Sequence, residues 1–255
     1  MLLFKLILVP VLIGALSLAG RRWGPAVGGW LAGLPWTSGP VALFLALEQG
    51  TTFASNAAQG TLMGLVAVAA FCLAYSGTAR RRGWLVSLLA GWAAFLVVTA
   101  LLNRLTVPLG VAFVGTLAVL AVITAVLPEG GPGETRRSSP WWEIPLRMAA
   151  ALAIVLLITG AAAALGPRLS GLLSPFPIYA TVLAAFTHQF EGAPAADRLL
   201  RGVMVGSFSF ALFFAILAGT LPSWGLVLAF GAAILGAIVT HAVGLFVLRS
   251  RLMAV

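Results

Sequence analysis

Long apolar runs alternate with short polar interruptions along the whole chain, and their spacing predicts helices that cross a bilayer. Nine runs stand out, at about 3–19, 24–48, 57–76, 84–102, 107–127, 146–165, 168–189, 199–220 and 224–248. Each comes near the roughly 20 apolar residues that carry a helix across the hydrocarbon core. The stretch 84–127 would make one overlong helix, but Asn103, Arg104 and Pro108 fall at its middle and mark a turn. The first run also has features of a secretory signal, with small residues at Ser17-Leu18-Ala19-Gly20. Its single flanking lysine, Lys5, and a counterpart later in the chain favour a retained span.

Composition narrows the class. Of 255 residues, 61% are hydrophobic and 8% are charged, with a mean hydropathy of +1.09. Soluble domains carry about 25% charged residues, so a surface this poor in charge faces lipid. The expectation is an all-α, polytopic membrane helix bundle of about nine spans, with no room for a separate catalytic domain. The net charge of +9 is not a nucleic-acid signature, because the charges sit between the apolar runs. With Met1 outside, the inner loops carry Arg21, Arg22, Arg80, Arg81, Arg82, Arg136, Arg137, Arg147, Arg198, Arg201, Arg249 and Arg251. The outer side keeps Lys5, Arg104 and Arg168. That bias predicts a multi-pass protein of the inner (plasma) membrane, its N-terminus outside and its C-terminus cytoplasmic.

Sliding the sequence along itself reveals one informative offset, 142 residues. It lays Gly24-Pro25 on Gly166-Pro167, Gly29 on Gly171, Pro35 on Pro177 and Gly50 on Gly192. Further on, Gly60 meets Gly202, Gly64 meets Gly206 and Phe71 meets Phe213. Over 24–73 against 166–215 there are 13 identities in 50 positions, 7 of them glycine or proline. The offset maps spans one to four onto spans six to nine and leaves span five over. This 4+1+4 arithmetic predicts an inverted repeat, a plan that recurs in secondary transporters. The units are 1–103, a linker helix and loop at 104–143, and 144–255.

The second span of each unit is broken. Gly33-Leu34-Pro35-Trp36-Thr37-Ser38-Gly39-Pro40 and Leu172-Leu173-Ser174-Pro175-Phe176-Pro177 hold more proline than an unbroken helix tolerates. Both read as helix starts, with Ser38 or Gly39 capping ahead of Pro40 and Ser174 capping ahead of Pro175. Two half-helices would then aim positive ends at the membrane centre, which suits an anionic group. The expected substrate contacts are Pro35, Trp36, Thr37, Ser38, Ser174, Phe176, Pro177 and Tyr179. Proline kinks that bind nothing are a comparable alternative.

Glu48, His188 and Glu191 are the candidates for proton coupling, although each lies within a turn of a helix end, where water can reach. His241, deeper in span nine, reads as a packing residue. The glycine pairs at 60/64 and 202/206 allow close helix approach. The loop at 128–143 reads as a flexible connector, with Trp141 and Trp142 as interface anchors. Cys72 is the one cysteine, so no disulfide or thiolate metal site is expected. Cofactor, metal and nucleotide motifs are absent from the sequence, as are nucleic-acid modules.

The segment from Gly171 to about Gly206, Gly-Leu-Leu-Ser-Pro-Phe-Pro followed by an apolar run, His188 and a charged turn, resembles the small GlpM-type membrane proteins. Those are four-helix chains with a Gly-Leu-x-Pro-x-Phe-Pro-like segment, associated by name with alginate production. The stretch Gly33–Ser38 looks like a more diverged copy. The resemblance implies a fused, inverted double of that unit and says little about substrate. The reading is a small secondary transporter or exporter of a small solute, not an enzyme. Its partners would be the bilayer, an unidentified small-molecule substrate, and a second copy or another membrane protein. The alternative is an accessory subunit for polysaccharide or lipid-linked export; a lipid-modifying enzyme is a weaker third, since no carboxylate or histidine cluster is visible.

Overall fold

The computed structural model describes residues 2–130, 140–165 and 176–252. Helices make up nearly all of them, and no strand occurs among the described residues. In chain order they are α1 (Leu2–Trp23), α2 (Pro25–Ala32), α3 (Ser38–Gln49), α4 (Thr51–Ala79), α5 (Trp84–Leu102), α6 (Leu109–Val126), α7 (Glu143–Leu165), α8 (Ile178–Glu191) and α9 (Ala193–Leu252). Among the described residues, five segments are long and apolar enough to cross a membrane on their own: Leu6–Trp23, Thr51–Ala79, Trp84–Leu102, Leu109–Val126 and Ala193–Phe246. The chain is therefore a helical membrane-type protein.

The last of these is far longer than one crossing, and it is not one helix. Gly225 has φ 72 and ψ 178, a region open to glycine alone. There the chain reverses, and the second limb (226–252) packs back along the first (193–224). Gly236 faces Ile216 and Leu212, and Gly244 faces Val205. The sequence expectation of two spans here matches this hairpin. The expected turn between α5 and α6 also falls where Asn103, Arg104 and Pro108 interrupt the apolar run.

Helix boundaries recur at the 142-residue offset. α1 shifts onto α7, α3 onto α8, and α4 onto the first limb of α9, each within three residues at the described ends. The joints recur too. Gly50 links α3 to α4 with φ 88 and ψ 165, and Gly192 links α8 to α9 with φ 87 and ψ 170. A side chain at either would be strained, so only glycine reverses the chain in a single residue here.

The core lies between α4 and the first limb of α9. Phe71, Tyr75, Leu62, Phe214, Leu217 and Met204 are fully buried there. The two helices run antiparallel: Ser55 Oγ donates to Ala218 O at 2.7 Å near one end, and Ser76 Oγ donates to Asp197 Oδ1 at 2.5 Å near the other. α1 and α7 are antiparallel as well, since Arg21 in the last turn of α1 meets Glu143 in the first turn of α7. α5, α6 and the second limb of α9 keep large apolar side chains exposed, among them Leu89, Val97, Val114, Val122, Leu228 and Leu235. Helices apolar on all sides suit a lipid surrounding.

Glycine sets the closest approach. A Cβ on Gly29 would collide with the Leu199 carbonyl, on Gly202 with the Ala26 carbonyl, and on Gly33 with the backbone of Gly206. The expected close-packing role of Gly202 and Gly206 is thus visible against α2, which the first limb of α9 grips backbone to backbone.

Candidate functional site

The break in the second span is present: α2 ends at Ala32, α3 begins at Ser38, and residues 33–37 run between them without a regular helix. Trp36 Nε1 donates to Leu31 O at 2.7 Å, a carbonyl in the last turn of α2 that also accepts from Leu34 N at 3.3 Å. Pro35 O accepts from Gly39 N at 2.9 Å. The cap of α3 is Thr37, not Ser38 or Gly39, and its side chain makes no capping hydrogen bond. Pro40 consequently falls third in α3 rather than first, still within the turn where a missing N–H costs nothing.

On the other side, α8 starts at Ile178 with Pro177 as its cap. Ser174 and Pro175 lie outside the described residues, as do Gly166, Pro167, Gly171 and most of the loop at 128–143. Phe176 is wedged against Trp92 and Phe95, with ring centroids 5.7 and 5.5 Å away. The Tyr179 side chain lies beside Thr37. Its hydroxyl is buried and has no hydrogen-bond partner among the described residues. Thr37 and Tyr179 are equivalent under the 142-residue shift. The break between α2 and α3 thus meets the first turn of α8 through a matched pair of hydroxyl side chains.

The three candidates for proton coupling part company. Glu48 is exposed at the end of α3, away from any cluster of charge. His188 Nδ1 lies 3.2 Å from the Tyr75 hydroxyl, which α4 holds fully buried. Glu191 ends α8 and lines a small pocket with Ser17, Arg21, Thr187 and Arg147.

Two buried charge clusters lie near this end of the bundle, and sequence reasoning named neither. In the first, Glu143 is fully buried and receives Arg21 at 2.6 Å and Arg147. The Arg147 guanidinium is also 5.5 Å from the Phe186 ring. In the second, Asp197 is fully buried and binds Ser76, with Arg80 Nε 3.2 Å from its other oxygen. The only sequence signal was the four-residue spacing of Glu143 and Arg147. The remaining partners stand more than 110 residues apart. Arg201 adds a contact to Leu127 O and one to Glu129. The basic helix ends that the loop pattern assigned to one side therefore meet at one end of the bundle.

No group of three His, Cys, Asp or Glu gathers among the described residues. Glu143 and Asp197 are both engaged with arginines. The fold and these clusters define a polytopic helical protein with charge concentrated at one end. Searches against protein-family models, curated proteins and solved structures found no match.

Proposed function

We propose that this chain is a small secondary transporter or exporter that works by alternating access between two inverted repeats, 1–103 and 144–255. The observation that carries the reading is a pair of hydrogen bonds. The 142-residue shift takes Ser55 onto Asp197 and Ser76 onto Ala218. The contact from Ser55 to Ala218 and the contact from Ser76 to Asp197 are then each other's images. An exchange of this kind between antiparallel helices is what a twofold axis in the membrane plane requires. The matched glycine joints at 50 and 192 and the meeting of Thr37 with Tyr179 support the same axis.

Nine crossings, the charged end facing the cytoplasm and an inner-membrane location complete the proposal. The GlpM-type resemblance is its family reading. The site lies where the breaks meet, among Pro35, Trp36, Thr37, Ser38, Ser174, Phe176, Pro177 and Tyr179. The starts of α3 and α8 bring amide N–H groups there, an environment that favours a carboxylate or another small anion. Such a site works in transport because two equivalent halves can close over it from either face.

A thermal-shift screen of the purified chain across organic anions, followed by proteoliposome uptake of those that stabilise it, tests the reading. Pro35→Ala, Ser38→Ala and Pro177→Ala should each lower uptake about tenfold, about 1.4 kcal/mol, Ser38→Ala by losing a hydroxyl and the proline variants by letting the helix run on through the break. Well-folded variants that transport as before would remove the site. A panel without any stabilising or transported solute would leave the accessory-subunit reading in its place.

A further inference from the structure

We propose that His241 is a proton-binding site inside the membrane, formed by its stacking on Trp30 and its hydrogen bond to Ser209. The imidazole lies on the indole with centroids 3.8 Å apart and planes inclined by 13°. Its Nδ1 is 3.1 Å from Ser209 Oγ. The Ser209 hydroxyl donates to Gly206 O at 2.6 Å, so its single proton is committed and its oxygen accepts from the ring. The neutral imidazole therefore carries its hydrogen on Nδ1 and its lone pair on Nε2.

That lone pair is the open end of the site. Nε2 of His241 and Nε1 of Trp30 are both buried and without hydrogen-bond partners among the described residues. The residues are 7% and 8% exposed. An acceptor left alone in an apolar setting is costly. Protonation turns that acceptor into a charged N–H, whose burial is opposed by the apolar setting and offset in part by the indole face and by Ser209, which still accepts from Nδ1. The reaction is a simple uptake of one proton on Nε2, with no bond to another group made or broken.

Depth and surroundings fit this role. Ser209 lies 8 residues inward of Arg201, and His241 lies 8 residues inward of Arg249, each about 12 Å of helix. The hydrocarbon half-thickness is about 15 Å, so the ring is well below the charged end. The elements that touch it offer no competing charge. α2 has no charged or titratable side chain, and neither do residues 202–222 of the first limb or the flanks 226–240 and 242–248 of the second. The site also joins the two repeats, since Trp30 belongs to the first and His241 with Ser209 to the second. As a source of the coupling ion it rests on the transport reading.

The chain has two histidines, so the full-length His188→Gln variant, labelled with 13C and 15N histidine in lipid bilayers, reports His241 alone. Nuclear magnetic resonance between about pH 4 and 8 should show the Nδ1–H tautomer giving way to imidazolium as pH falls. Trp30→Leu should cut the ratio of imidazolium to neutral ring at fixed pH about tenfold, and Trp30→Phe, which keeps the packing, by less. A ring that holds its hydrogen on Nε2, stays neutral throughout, or ignores both Trp30 variants would overturn the proposal. The titration needs no substrate, so its failure removes the proton site alone. Failure of the uptake assay removes transport and leaves the titration standing.

Discussion

Replacing Gly202 by alanine tests how the broken second span is held. A Cβ there would collide with the backbone carbonyl of Ala26 and crowd Trp30 N, so no side chain can rotate aside. Relief requires α2 to retreat from α9 by roughly 1 Å, because close-packed interiors leave little slack. Overpacking of this kind costs about 1–3 kcal/mol. Alanine returns up to about 1 kcal/mol through its better helix propensity. The net expectation is a loss of about 1–2 kcal/mol, a 5- to 30-fold shift of the unfolding equilibrium. Gly29→Ala meets the Leu199 carbonyl and should cost a similar amount. The double variant should cost less than the sum, since one retreat of α2 relieves both collisions. Gly77→Ala is the control: Gly77 is exposed on α4, and a Cβ there meets nothing within 4 Å among the described residues. Reversible unfolding in mixed micelles, followed by circular dichroism, measures all four. If Gly202→Ala and Gly29→Ala unfold together with wild type and Gly77→Ala, the backbone contact between α2 and α9 is not there.

Other outcomes follow from the charged end and the aromatic wedge. Glu143→Ala strands the buried Arg147 and should lose about 3 kcal/mol in thermal unfolding, while Glu143→Leu with Arg147→Met should stay within about 1 kcal/mol of wild type. An equal loss in both would place the energy in packing rather than charge. Asp197→Ala should destabilise by about 1–3 kcal/mol through Ser76, whereas Arg80→Ala, whose side chain is half exposed, should cost under about 1 kcal/mol in the same melts. Phe176→Ala removes the ring contacts to Trp92 and Phe95 and should lose about 3 kcal/mol by micelle titration. In a Cys72→Ser background, Ser55→Cys with Ala218→Cys should cross-link on oxidation and run as a closed loop on a gel. No cross-link in folded protein would contradict the antiparallel pairing.

Most of the helical layout was legible in the residues because a bilayer imposes a length on each apolar run. Asn103, Arg104 and Pro108 marked a turn for the same reason that they fail as lipid-facing helix. Gly50 and Gly192 were legible as a matched pair because a reversal in one residue admits no other side chain. The site was readable only in outline. The prolines announced the break, but the chemistry around it depends on reach. Trp36 spends its N–H on Leu31 O, and Thr37 displaces Ser38 as the cap because the chain leaves the break one residue earlier. Asp197 and Glu143 looked like ordinary residues at helix ends. Their burial comes from helices that approach across more than a hundred residues, which no local pattern encodes.

The break between α2 and α3 divides one membrane span between two neighbours. α2 is locked to α9 by facing backbones at Gly29, Gly33, Gly202 and Gly206, while α3 is joined to α4 through the single residue Gly50. Neither piece can follow both neighbours at once. Any sliding of α4 along α9 must therefore be taken up within residues 33–37, and Trp36, tethered to α2 by its own indole, decides where in that stretch the chain bends.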